Sequence, residues 1–218
     1  MDVISFARGI PAPECLPVAE LADCAKGALE RDGEVALSYG STLGYGPLRE
    51  WLAERHSVEP ARVLVTNGSL QAFHFVLELL GGDGRVLVER PTYDRPRKIL
   101  AAAGVDFGEL SVDGHGLDVD ALERELEAGG RAFLYTIPTF QNPTGSTLSL
   151  ERRRRLAALV RERRLQLLED DPYGLVRFEG EALPSVFELD GGERVLYSSS
   201  FSKTVAPGLR VGYANEDE

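Results

Sequence analysis

Along most of this chain, short apolar runs alternate with segments in which apolar residues recur every three or four positions. The runs "RVLVT" (62–66), "RVLVER" (85–90), "VDFGELSV" (105–112) and "AFLYTI" (132–137) predict strands, as do "LQLLED" (165–170), "RVLYSSS" (194–200) and "LRVGYA" (209–214). Several are apolar at nearly every position, as expected where helices cover both faces of a parallel sheet. Between them, "SLQAFHFVLELLGG" sets Leu70, Phe73, Leu77 and Leu80 on one helical face, with Gly81 and Gly82 ending the helix. "LDVDALERELEAGG" reads as a helix capped by Asp118, and "SLERRRRLAALVRERR" as one that starts at Ser149 and buries Leu156, Leu159 and Val160. "PVAELADCAKGALE" and "GPLREWLAERH" predict two helices ahead of the first strand, and Cys24 falls on the apolar side of the earlier one, which predicts core packing. This alternation predicts an α/β fold with three layers, α/β/α, around a mainly parallel seven-stranded sheet.

Composition narrows the function classes. A net charge of −11, from 35 acids against 24 bases, opposes non-specific attraction to nucleic acid or an anionic membrane. Only Cys15 and Cys24 occur, so no disulfide framework is expected, and a reducing cytoplasm fits. No apolar run approaches the about 18 residues of a membrane span. "MDVISFARGIPAPE" lacks the basic start and apolar stretch of a signal peptide. Arginines 152–155 admit two readings, a polyanion site or a solvated face. Helical spacing spreads them around the polar sides beside Glu151 and Glu162, which favours the solvated face.

In α/β sheets, ligands sit beyond the carboxyl ends of the strands. After the first strand, "TNGSLQA" offers Gly68 for close backbone approach and Ser69 at a helix start whose free N–H groups suit a phosphate. A plain turn and cap would use the same residues. Tyr93 in "RPTYD" offers a ring for stacking on a flat ligand, or for rim packing. Asn142 in "PTFQNPTGS" offers an amide donor inside ordinary turn chemistry. "LLEDDPYG" closes a strand with three acids before Tyr173. His56, His74 and His115 lack ligand spacing with them, so no metal is expected. A buried carboxylate there can instead hold a proton on a ring nitrogen. "LYSSSFSKTVAPGLRVGY" sets Lys203 among Ser198, Ser199, Ser200 and Ser202, with Arg210 seven residues on. A lone lysine is ordinarily solvated, but a desolvated one becomes a nucleophile. Together these strand ends describe a cavity for a phosphorylated pyridine aldehyde held covalently by lysine.

With those motifs in order, the chain resembles the fold-type I (class I/II) aminotransferases, in particular the branch of 2-aminoadipate aminotransferases and MocR-type regulators. The resemblance rests on "TNGSLQA", "ERPTYD", "QNPTGSTLS", "EDDPYG" and "SFSKTVAPGLRVGY", with "ISFARGIPAPECLP" and "YGSTLGYGPLREWLAE" similar to the leading segments. It implies an enzyme that uses pyridoxal 5'-phosphate to exchange an amino group between an α-amino acid and a 2-oxo acid. It further implies that Lys203 forms the Schiff base and shuttles a proton. Asp170 would pair with the ring nitrogen, Asp171 being a near alternative. Asn142 and Tyr173 would bind the ring hydroxyl, Tyr93 would stack on the ring, and Gly68, Ser69, Ser200 and Arg210 would hold the phosphate. Tyr39 would reach the phosphate of a second subunit, which implies a homodimer, and "RGIP", with Gly9, would pass near the substrate carboxylate. Members of this family are about twice as long. Residues 1–38 are therefore expected to form an N-terminal segment and helix, and 39–218 the cofactor-binding large domain. The C-terminal small domain, with its arginine for the substrate carboxylate, is expected to be absent. Other outcomes of the same resemblance are a C–S lyase or decarboxylase, the non-catalytic sensing domain of a MocR-type regulator, or an inactive remnant.

Overall fold

The computed structural model describes residue 9, residues 11–80 and residues 84–215. Two helices come first, α1 (Val18–Ala36) and α2 (Gly46–His56), followed by strand β1 (Val63–Thr66) and helix α3 (Ser69–Leu80). Then come β2 (Arg85–Arg90), α4 (Asp94–Ala102), β3 (Phe107–Asp113), β4 (Gly116–Leu117), α5 (Val119–Glu127) and β5 (Ala132–Thr136). The last elements are α6 (Leu150–Arg163), β6 (Gln166–Asp170), α7 (Val186–Asp190), β7 (Val195–Ser200) and β8 (Gly212–Asn215).

The strands form one eight-stranded sheet in the order β1-β8-β7-β6-β5-β2-β3-β4. The run β7-β6-β5-β2-β3 is parallel throughout, whereas β8 lies antiparallel between β1 and β7, and β4 pairs antiparallel with β3. The seven expected strands are all present. The eighth, β4, has two residues and is too short to show a hydrophobic period.

Alternation along each buried strand feeds two cores. Val86, Val88, Phe133, Tyr135 and Leu168 pack against Phe73, Val76 and Leu77 of α3 and Leu100 of α4. Leu87, Leu134, Leu167 and Val195 face the opposite way, toward Leu52 of α2, Leu122 of α5, Leu156 and Val160 of α6 and Val186 of α7. Neighbouring residues on one strand thus serve opposite layers, which is why the runs are apolar throughout.

The expected caps hold: Asp118 accepts from the backbone N–H of Ala121, and Ser149 from that of Arg152. Leu70 and Leu80 are half-buried, while the fully buried stripe of α3 is Ala72, Phe73, Val76 and Leu77. Gly81 and Gly82 lie outside the described residues. The short helix α7 starts with a capping box between Ser185 and Glu188, a four-residue signal in "SVFE" that periodicity does not register.

Two expectations are corrected. Cys24 is exposed, because no residue of α1 is buried, and Leu29 and Val35 on the same helix also stand in solvent. Arg153 is 1% exposed rather than solvated. It donates to the carbonyls of Leu148 (2.9 Å), Pro138 (2.9 Å) and Pro184 (3.1 Å) and to Thr139 Oγ1 (2.8 Å), with Glu169 3.7 Å away. Loop carbonyls that meet beneath strand ends need donors, and a guanidinium supplies five.

Candidate active site

Register brings the strand ends into one row. Thr66 of β1 and Ser200 of β7 both pair with Gly212, the first residue of β8, and Asp170 of β6 pairs with Ser198. Beyond this edge lies a cavity of about 730 Å³. Ser69, Tyr93, Asn142 and Asp170 line it, as do Tyr173, Ser200, Lys203 and Arg210. Gly68 borders it through Arg210. Tyr39 does not reach it and is fully exposed. Of the N-terminal motif, Gly9 lines the cavity, while Arg8 and Ile10 lie outside the described residues.

Asp170 is 4% exposed, and its Oδ2 accepts from Tyr135 Oη at 2.7 Å. Its Oδ1 is buried and has no partner among the described residues. Burial pushes the carboxyl up to about 6, a rise that the hydrogen bond from Tyr135 opposes. Such an orphaned acceptor is costly unless a donor arrives. Asp171 is occupied elsewhere: its Oδ1 accepts from Gly174 N (2.8 Å) and its Oδ2 from Tyr197 Oη (3.1 Å), which fixes the following turn. Of the two adjacent acids, Asp170 is the one that lines this cavity.

Lys203 sits three residues past β7, and its Nζ donates to the Gly9 carbonyl at 2.8 Å. Desolvation lowers its pKa. Across the cavity, Asn142 Nδ2 donates to Tyr173 Oη at 3.3 Å. Burial raises the Tyr173 phenol, against the bond from Asn142. Tyr93 and Tyr173 both pack against the α3–α4 core, so their rings are supported from behind.

The remaining wall suits an anion. Gly68 has φ +84° between β1 and α3, and a Cβ there would fall 2.5 Å from Arg210 Nη2. Arg210 itself takes φ +54°, which ends the apolar run before β8 begins and explains why that strand starts later than the sequence suggests. The Arg210 guanidinium donates to Ser202 Oγ (3.3 Å), Pro207 O (3.2 Å) and Asn67 O (3.2 Å), all neutral oxygens. Ser200 Oγ donates to Ser202 Oγ at 2.7 Å. Hydroxyls, a cation with no acidic partner among the described residues and the amino end of α3 thus converge. Among the described residues no group of His, Cys, Asp and Glu could hold a metal.

A family model described as aminotransferase class I and II matches residues 2–217. The chain belongs to this family. It is 44% identical over 216 residues to the 2-aminoadipate transaminase of Thermus thermophilus, covering 97% of this chain and 54% of that protein. A crystal structure of alpha-aminoadipate aminotransferase from the same species, complexed with N-(5'-phosphopyridoxyl)-L-leucine, superposes with a TM-score of 0.91 at 43% identity. It covers 99% of this chain and 56% of that one. An uncharacterized HTH-type transcriptional regulator of Bacillus subtilis is 31% identical over 97% of this chain and 45% of its own. The chain therefore spans about half the length of the curated relatives it matches. Class I and II aminotransferases depend on pyridoxal phosphate, and the residues of this cavity fit it: an orphaned carboxylate oxygen, a desolvated lysine and an anion cradle that a Cβ at position 68 would fill.

Two residues that support the site escaped the sequence. Tyr135 is 0% exposed and orients Asp170 from a neighbouring strand. Nothing local in "AFLYTI" marks it, since the pairing depends on the register of β5 with β6. Ser202 was one hydroxyl among several until its bonds to Ser200 and Arg210 singled it out.

Proposed function

We propose that this chain carries the cofactor site of an aminotransferase that exchanges an amino group between an α-amino acid and a 2-oxo acid. The observation that carries this reading is the unpartnered Asp170 Oδ1, buried in a cavity that also holds the desolvated Lys203. When bound, pyridoxal phosphate supplies an electrophilic aldehyde and an electron-withdrawing ring that acidifies the substrate Cα–H.

The chain's own residues divide the remaining tasks. Lys203, with its pKa lowered by desolvation, is neutral more often than a solvated lysine; it would hold the cofactor and carry a proton at Nζ. Asp170 Oδ1 holds a proton on the ring nitrogen, and the ion pair favours the charged form of each partner. The Asn142 amide, the Tyr173 phenol and the Tyr93 ring, which line the cavity, would hold the ring of the cofactor. Gly68, Ser69, Ser200 and Arg210 hold the phosphate. Residues 39–218 would form the cofactor-binding unit, and Tyr39, which is exposed, would serve the phosphate of a second copy in a homodimer. A cytoplasmic location is part of this proposal. Among the described residues no helix is long and apolar enough to cross a membrane.

The likeness to HTH-type regulators supports a second reading, a sensing domain that binds the cofactor without turnover. One comparison separates the two. Purified chain and a version extended to the length of its relatives are loaded to equal cofactor occupancy and supplied with single α-amino acids and a 2-oxo acid. Aminotransferase function predicts amino-group exchange by the extended protein and slow or undetectable exchange by this chain. Bound cofactor without exchange in the extended protein contradicts it.

A further inference from the structure

Glu89, on β2, is 1% exposed. Its Oε1 accepts from Thr136 Oγ1 (2.6 Å), and its Oε2 accepts from Ile137 N (3.2 Å) and Gln141 Nε2 (3.0 Å). Burial drives the carboxyl up to about 7, which these three donors only partly offset. An apolar residue would fill this place at lower cost, so the location of the charge calls for a reason.

That reason lies in Gln141. Its backbone and side-chain oxygen tie the loop to itself: Gln141 N donates to Ser146 O (2.8 Å), Gly145 N to Gln141 O (2.6 Å) and Thr144 N to Gln141 Oε1 (2.9 Å). These bonds make the loop rigid without fixing where it sits on the sheet. The side-chain amide group supplies that link, donating to Glu89 and to the carbonyl of Pro91 (2.7 Å). The next residue is Asn142, which bonds Tyr173 and lines the cavity. Arg153 holds the base of the same loop through Pro138 and Thr139.

We infer that Glu89 is a positioning residue: acting through the Gln141 amide, it fixes the loop so that Asn142 presents its amide to a ring-bearing ligand. The inference rests on the reading that the cavity holds pyridoxal phosphate. Glu89 touches no ligand itself, so its contribution passes through the Asn142 bond.

A double-mutant cycle on the full chain tests this, with cofactor affinity read from the visible absorbance of bound pyridoxal phosphate and melting temperature read without cofactor. Glu89→Ala is expected to weaken affinity about tenfold, the scale of a misplaced hydrogen bond to a polar ligand. In an Asn142→Ala background the same change is expected to weaken it less than about threefold, because the bond it positions is already gone. Glu89→Gln keeps an acceptor for Gln141 and Ile137 and a donor for Thr136, so it restores affinity to within about threefold of the unaltered chain. If Glu89→Ala does not fold, Gln141→Ala reads the same link, with the same loss alone and the same absence of loss beside Asn142→Ala. Equal losses in both backgrounds, or an unchanged affinity in the single variants, overturn the inference. If the unaltered chain takes up no cofactor, the functional reading fails, and this inference falls with it.

Discussion

The surroundings of Asp170 set its chemistry. It binds its proton up to about pH 6 in the folded chain, whereas an unfolded aspartate releases it near about 3.9. Between those values the folded state holds more protons, so the Asp170 contribution to stability falls as pH rises through that window. Asparagine has no charge to bury. Asp170→Asn is therefore expected to stabilise the cofactor-free chain at pH 7.5 by about 3 kcal/mol, and by nothing near pH 3.5. The same variant should lose most catalysis in the cofactor-loaded, extended protein, since an amide cannot balance a protonated ring nitrogen. Thermal melts across pH check the first part. A melting temperature at pH 7.5 equal to or below that of the unaltered chain would mean that the ionised carboxylate is already compensated. Sequence spacing singled out Asp170 over Asp171 through Tyr173, and of the two it is Asp170 that lines the cavity. Tyr135 and Glu89 were not legible, because their significance depends on which residues lie beside them on adjoining strands.

At the scale of elements, the junction of β1 and α3 concentrates the features proposed to hold the phosphate. Gly68 combines a left-handed φ with a virtual Cβ 2.5 Å from Arg210 Nη2, and Gly212 brings β8 so close that its own Cβ would fall 2.6 Å from Gly68 Cα. Gly68→Ala is expected to cost about 1–2 kcal/mol from the backbone alone and to push the guanidinium out of the cradle. The informative readout is the ratio of affinities for pyridoxal phosphate and pyridoxal, which should drop about tenfold because only the former carries the phosphate. An unchanged ratio would place the phosphate elsewhere. This junction was legible because its signal is local, a strand, a glycine and a hydroxyl in consecutive positions. Helix α6 was half legible. Its cap and apolar stripe follow from periodicity, but the burial of Arg153 depends on loop carbonyls from residues 138, 148 and 184. Helical spacing alone assigned that arginine to water.

At the scale of the molecule, the three layers and the order of chemistry along the sheet edge follow from alternating strands and helices. The burial of α1 does not. Its apolar residues satisfy a helical pattern, yet none is buried: Val18, Leu29 and Val35 are exposed, as are Leu37 and Tyr39 just beyond the helix. A pattern reports that a face is apolar and is silent about what covers it. The proposed second copy would supply such cover, and the same contact would bring Tyr39 to its site. The account as a whole stands on one cavity that joins Lys203 to Asp170, Asn142 and the anion cradle, and the chain holds three lysines, Lys26, Lys98 and Lys203. The most direct test is to saturate the purified chain with pyridoxal phosphate, reduce it with borohydride and map the modified peptide by mass spectrometry. The account predicts a single stoichiometric modification, on Lys203, which is abolished in Lys203→Ala. Modification of Lys26 or Lys98 in its place, or of no lysine, would contradict it.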